Sequence, residues 1–155
     1  MDNSITPQKL YWTKDAFKYN HSIFSGAELV GEIKDKTLHR SVKATLYGQK
    51  YLFEKNGFVK TSISIINLND RAEIGKISCA LFVPRATIKL GSEVYKWRFE
   101  HMLTRKWVVL DRGNRIRLSG KSRKEGYTEM YDENSPVLLL CVLVIRNHFS
   151  MQGYS

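Results

Sequence analysis

Two hydrophobic patterns divide this chain. Up to about Tyr131 apolar and polar residues alternate in short runs. Arg85, Thr87 and Lys89 interleave with Ala86, Ile88 and Leu90, and Lys96 and Arg98 interleave with Tyr95, Trp97 and Phe99. Period-two alternation gives a strand with one wet face and one buried face. From Val137 to Ile145 the alternation stops, and every residue of Val-Leu-Leu-Leu-Cys-Val-Leu-Val-Ile is apolar. That run is too short to span a bilayer as a helix, which takes ~20 apolar residues. Periodicity alone fits a buried strand as well as a buried helix. The flanks favour a helix. Ser135 is a good N-cap, Pro136 suits the first helical position, and Asp132 and Glu133 complement the positive end of a helix, as Arg146 and His148 do the negative end. The expected helix runs from about Pro136 to Phe149. A helix that is apolar on all sides must be surrounded on all sides.

The surroundings come from a repeat. Segments beginning at Phe17, Thr61 and Arg105 align without a gap, 44 residues apart, and each reads strand, polar turn, strand. Tyr19, Ile63 and Trp107 are equivalent, and so are His21, Ile65 and Val109. The turns fall at Ser25-Gly26, Asn69-Asp70 and Gly113-Asn114, residues that tolerate turn geometry. Val30, Ile74 and Leu118 lead the second strands, and Gly31 and Gly75 share a position. The offset also relates Val42, Ala44 and Leu46 to Ala86, Ile88 and Leu90, and Tyr51 and Phe53 to Tyr95 and Trp97. Each unit holds about four strands, and a shortened last unit runs through Tyr127 to Tyr131 into the helix.

The count is ten to twelve antiparallel strands with aromatic and branched inner faces. A sheet of that size curls or closes, and closure removes its exposed edges. The expected fold is all-β with one buried helix: a closed antiparallel barrel of about twelve strands around a C-terminal central hydrophobic helix. An eight-stranded barrel with a ligand cavity is the structural rival. A propeller of three and a half blades has too few blades. The expected divisions are a flexible tail over 1–9, the barrel over 10–131 and the helix over 136–149, within one domain of 155 residues.

These residues resemble the tubby C-terminal-like superfamily, which includes tubby proteins, LURP-one-related proteins and phospholipid scramblases. The resemblance runs from about Trp12 to Phe149. It rests on Gly-Gln-Lys-Tyr-Leu-Phe at 48–53, Tyr-Lys-Trp-Arg-Phe at 95–99, the strand-turn-strand repeats, and Asn-Ser-Pro at 134–136 before the apolar run. In its short single-domain form the chain is similar to bacterial LURP-one-related proteins. The resemblance implies twelve strands with an apolar helix threaded through the axis. It also implies that function lies outside the barrel, where tubby domains hold phosphoinositide headgroups through Lys and Arg. No tubby lipid-binding residue maps onto a particular position here. Scramblases add a membrane helix and calcium-linked activity, and this chain shows no acidic loop of calcium-binding spacing.

Charge sharpens that picture. Twenty-five Lys and Arg against fifteen Asp and Glu give a net charge of +10, which points to anionic partners. Cations cluster at Lys34, Lys36, Arg40 and Lys43, with His39 beside them, and again at Arg105, Lys106, Arg112, Arg115, Arg117, Lys121, Arg123 and Lys124, where Asp111 is the one acid. Of these, Lys34, Lys36, Arg40, Lys43, Arg105, Lys106, Arg115, Arg117, Lys121, Arg123 and Lys124 are the anion-binding candidates. Alternation turns Lys106, Arg115 and Arg117 outward. Three readings stay open: an anionic phospholipid surface, nucleic acid, or a protein-interaction or structural module in which the cations keep the outer face solvated. Aromatic residues are expected mostly on inner faces, which argues against a stacking platform.

Motifs for nucleotide binding or nucleophilic catalysis are missing from the sequence. The four histidines, His21, His39, His101 and His148, are scattered, and neither Cys79 nor Cys141 has metal-ligand spacing. His21 is expected at an inward position and Cys141 as a small buried hydrophobe. The expectation is a non-enzymatic protein without metal or cofactor. The start of the chain lacks the pattern of a signal peptide, so the expected location is the cytoplasm, with peripheral membrane contact.

Overall fold

The computed structural model describes residues 8–16, 19–36, 40–56, 61–101, 103–121, 125–131 and 136–152. The strands, in chain order, are β1 (Gln8–Lys14), β2 (His21–Ser25), β3 (Glu28–Asp35), β4 (Ser41–Leu46), β5 (Gln49–Asn56), β6 (Ser62–Asn67), β7 (Glu73–Cys79), β8 (Arg85–Leu90), β9 (Glu93–His101), β10 (Lys106–Leu110), β11 (Ile116–Lys121) and β12 (Glu125–Met130). Helix α1 (Val137–Met151) follows. All neighbours pair antiparallel, and β1 pairs with both β2 and β12, which closes the barrel.

The repeat builds the wall. β2–β5 and β6–β9 are two copies of one four-stranded unit. Gly31 and Gly75 do the same work in both. A Cβ at Gly31 would lie 2.6 Å from the Thr45 carbonyl oxygen, and one at Gly75 would lie 2.0 Å from that of Lys89. Each glycine lets the next strand approach closely. β10–β12 start a third unit, whose fourth strand should begin 44 residues beyond Glu93, at Val137. That position opens α1 instead. β1 fills the vacant wall position between β12 and β2. The third copy therefore gives its last strand to the core, and the N-terminal segment closes the sheet.

The alternation works as expected. Trp12, Ile23, Ile33, Phe53, Ile63, Ile65, Ile77, Ile88, Trp97, Trp107 and Val109 all point inward and are buried. Around the axis, Leu138 to Ile145 are buried without interruption. Phe149 stacks on Trp97, with ring centroids 5.7 Å apart and planes 13° apart. Among the described residues no helix is long and apolar enough to cross a membrane.

Some boundaries differ from expectation. β1 begins at Gln8, inside the stretch expected to be a tail, because Gln8 and Lys9 pair with Met130 and Glu129. Pro136 takes the N-cap position, so α1 starts one residue later than expected. It ends at Met151 rather than Phe149, with Gln152 as its C-cap, whose backbone N–H donates to the Phe149 carbonyl. Ser135, Asp132 and Glu133 lie outside the described residues. Tyr19 sits in the β1–β2 loop and not in a strand, and its carbonyl takes a different job.

That job is at the rim where α1 ends. Asn147 Nδ2 donates to the Tyr19 carbonyl at 2.8 Å and to Asp35 Oδ2 at 3.1 Å. Asp35 Oδ1 faces Lys55 Nζ at 3.7 Å, and the backbone N–H of Asp35 donates to Asn20 Oδ1 at 3.0 Å. A greasy helix could slide or rotate along a greasy wall; this polar contact fixes its depth and angle. Asn147→Ala leaves the Asp35 carboxylate and a loop carbonyl without their donor, so we expect a loss of about 1–3 kcal/mol in urea unfolding. A second test is by pH. His21 is an inward residue beside Trp12, and burial first, then Lys14, pushes its pKa down to about 4. The unfolded chain then binds the extra proton between pH 6.5 and 4, so stability falls as the pH drops through that window. His21→Phe should remove on the order of 3 kcal/mol of the stability otherwise lost across that window; an unchanged acid-side loss contradicts the assignment.

Candidate anion-binding surface

With the axis occupied by side chains, chemistry is left to the outer wall. Strand register decides which cations meet there. Four like-charged pairs stand directly opposite one another: Lys34 and Lys43, Lys76 and Lys89, Arg85 and Arg98, Lys106 and Lys121. Directly opposed like charges destabilise a sheet by a few tenths of a kcal/mol or more, up to ~1. In two of the four, one member is ion-paired. Lys76 lies 3.9 Å from Glu73 and Lys106 lies 3.5 Å from Glu100.

The Arg85–Arg98 pair is different. Its residues line an open groove of about 640 Å³ across the outer faces of β7–β10, with Ser78, Thr87, Lys96, Leu110 and Asn114. Thr87 pairs with both Ser78 and Lys96, so two hydroxyls and an ammonium lie one register step from the two guanidiniums. The lining contains no acid, and none of its three cations has a carboxylate partner among the described residues. Arg guanidinium offers planar forked donors suited to phosphate oxygens.

The sequence-derived candidates are spread over the barrel. Lys34 and Lys43 share a smaller groove of about 370 Å³ with Lys50 and Glu32. Lys36 and Arg40 are exposed on the nearby rim. Lys106 and Lys121 border a third groove of about 630 Å³ with Lys9, but Glu100, Glu125 and Glu129 line it too. Arg105 is exposed in the β9–β10 loop, where its φ is +56°. Arg123 and Lys124 lie outside the described residues. The two predicted clusters do not share a face. β2, β1 and β12 separate β3 from β11 on one side, and β5–β9 separate β4 from β10 on the other.

Arg115 and Arg117 sit at the opposite rim and serve a turn. Their Nε atoms donate to Asp111 Oδ2 at 3.1 and 2.9 Å, while Asp111 Oδ1 accepts from the backbone of Gly113 and Arg115. These donors, led by the Arg115 N–H, hold the Asp111 carboxyl below its usual pKa. Reversing Arg117 would disrupt this turn, so it is a poor probe of binding.

Arg85, Lys96 and Arg98 were not among the candidates, although the sequence carries the signal. The tight turn at Gly91-Ser92 fixes the β8–β9 register, and that register sets Arg85 against Arg98. A linear count of cations favours 105–124 because it ignores this pairing. Most strand aromatics among the described residues point inward as expected, with one outward row. Tyr11, Phe24 and Tyr127 stand outside, side by side across β2, β1 and β12, with ring centroids 6.1 and 5.1 Å apart. Tyr11 donates to Glu125 at 2.6 Å and Lys9 lies over the Tyr127 ring.

The chain is similar in structure to a protein from Arabidopsis thaliana solved by X-ray crystallography. The TM-score is 0.63 over 92% of each chain, at 12% sequence identity. At that identity the likeness concerns the fold alone. Neither a protein-family model nor a curated protein matches the chain.

Proposed function

We propose that this chain is a non-catalytic binding module, a barrel of the tubby-like kind, that docks on an anionic phospholipid surface through its basic outer wall. The observation that carries this reading is the Arg85–Arg98 pair, held with Lys96 in a groove that has hydroxyl donors and no acid. The opposed guanidiniums cost stability in the free protein. A phosphate between them turns that repulsion into attraction. Each cation near an anionic bilayer adds about 1 kcal/mol. The motifs at 48–53 and 95–99 and the barrel with its axial helix support the tubby-like classification.

Sedimentation with phosphatidylcholine vesicles, with and without phosphatidylserine, tests the reading. The protein should pellet with the anionic vesicles only. Arg85→Glu with Arg98→Glu should weaken that binding by at least about thirtyfold, or roughly 2 kcal/mol, with an unchanged melting temperature. Arg112→Glu on the opposite rim should have little effect. Equal binding to neutral vesicles, or full binding by the double variant, contradicts the proposal. Tight, steeply salt-dependent binding to DNA in the absence of vesicle binding would instead favour the nucleic-acid reading.

A further inference from the structure

The loop from β7 to β8 carries Leu81, Phe82, Val83 and Pro84 in succession. Exposed apolar side chains are common singly, but this loop has three together: Leu81 is 42%, Phe82 84% and Val83 44% exposed. In a barrel of sequential antiparallel strands, alternate loops emerge at the same rim. The β9–β10 loop therefore lies on the rim of the β7–β8 loop, one loop along, and it carries Leu103, which is 100% exposed. Backbone bonds close the base of the apolar loop, with Ala80 N–H donating to the Arg85 carbonyl at 2.9 Å and Arg85 N–H to that of Val83 at 2.8 Å. The apolar loop is thus closed at its base, and Phe82 is its most exposed side chain.

Cations ring this tip. Arg85 ends the stem, Arg98 opposes it, and Arg105 adjoins Leu103 in the next loop. No acid occurs from Lys76 to Lys89 or from His101 to Lys106. Apolar tips below a belt of Arg and Lys match the layering of a bilayer interface, with acyl chains beneath phosphates. A basic belt of this kind complements an anionic membrane rather than a neutral apolar surface.

We infer that the loop of residues 80–84 is a membrane anchor: Leu81, Phe82 and Val83 insert into the acyl-chain boundary of an anionic bilayer while Arg85 and Arg98 hold its phosphates. This rests on the headgroup-binding reading above and adds an orientation to it. The barrel stands on the rim where α1 ends.

The test uses a fluorescent thiol label. Cys79 and Cys141 are buried, and burial pushes the Cys79 thiol up to about 12 and that of Cys141 higher still, so both should stay unlabelled in the folded protein. Phe82→Cys and, on the opposite rim, Arg112→Cys are each labelled with NBD and mixed with phosphatidylcholine–phosphatidylserine vesicles. The label at 82 should brighten, shift to the blue and be quenched by doxyl lipids; the label at 112 should not change. In the unlabelled protein, Phe82→Ser should weaken vesicle binding by about tenfold or more. Vesicle binding with no change at 82, or equal changes at 82 and 112, overturns the anchor and leaves the headgroup reading standing. No binding of the wild type to anionic vesicles overturns both.

Discussion

The structure depends on one constraint: a helix apolar on every side has to be wrapped on every side. Leu138 to Ile145 leave no face for water, and each such side chain contributes about 1.5–3 kcal/mol when it is removed from solvent. A flat sheet covers one side of a helix, and a sandwich covers two. Only a closed wall covers it all round. The inward residues of twelve strands, the glycines that let strands close up and the N-terminal strand that seals the ring all answer that requirement. Apolar packing has no preferred depth along the axis, so Asn147, Asp35 and Tyr19 supply the direction that grease lacks.

A filled axis also decides where function can be. Among the described residues the outer wall carries open grooves and four opposed cationic pairs, and its two rims differ in character. At one rim, Arg115 and Arg117 are tied to Asp111 and shape a turn. At the other, apolar tips sit beside Arg85, Arg98 and Arg105, none of which has a carboxylate partner among the described residues. The net charge of +10 does not distinguish the two rims, yet their chemistry differs because one carries a carboxylate placed to neutralise its arginines.

The fold was legible because both of its patterns are periodic. Alternation in Arg85–Leu90 and Tyr95–Phe99 names the inner face residue by residue, and the 44-residue offset joins the units. Closure through β1 was less visible. Gln8–Lys14 lies outside the repeat, and its role depends on the third copy lacking a fourth strand. The binding surface was legible only in part. Lys34 with Lys43 and Lys106 with Lys121 are near in sequence and meet in space. Arg85 with Arg98 required the hairpin register. The loss of Arg115 and Arg117 to Asp111 required side-chain geometry that alternation does not contain. The outward row of Tyr11, Phe24 and Tyr127 is a matter of phase: those aromatics occupy the polar parity of their strands.

The wrapped helix can be tested by removing it. A chain ended before Pro136 keeps every strand from β1 to β12 but loses the surface they close around. This product is expected to be insoluble, or soluble without a cooperative melting transition by circular dichroism. A soluble truncated barrel with the strand signal and melting curve of the full chain would contradict it.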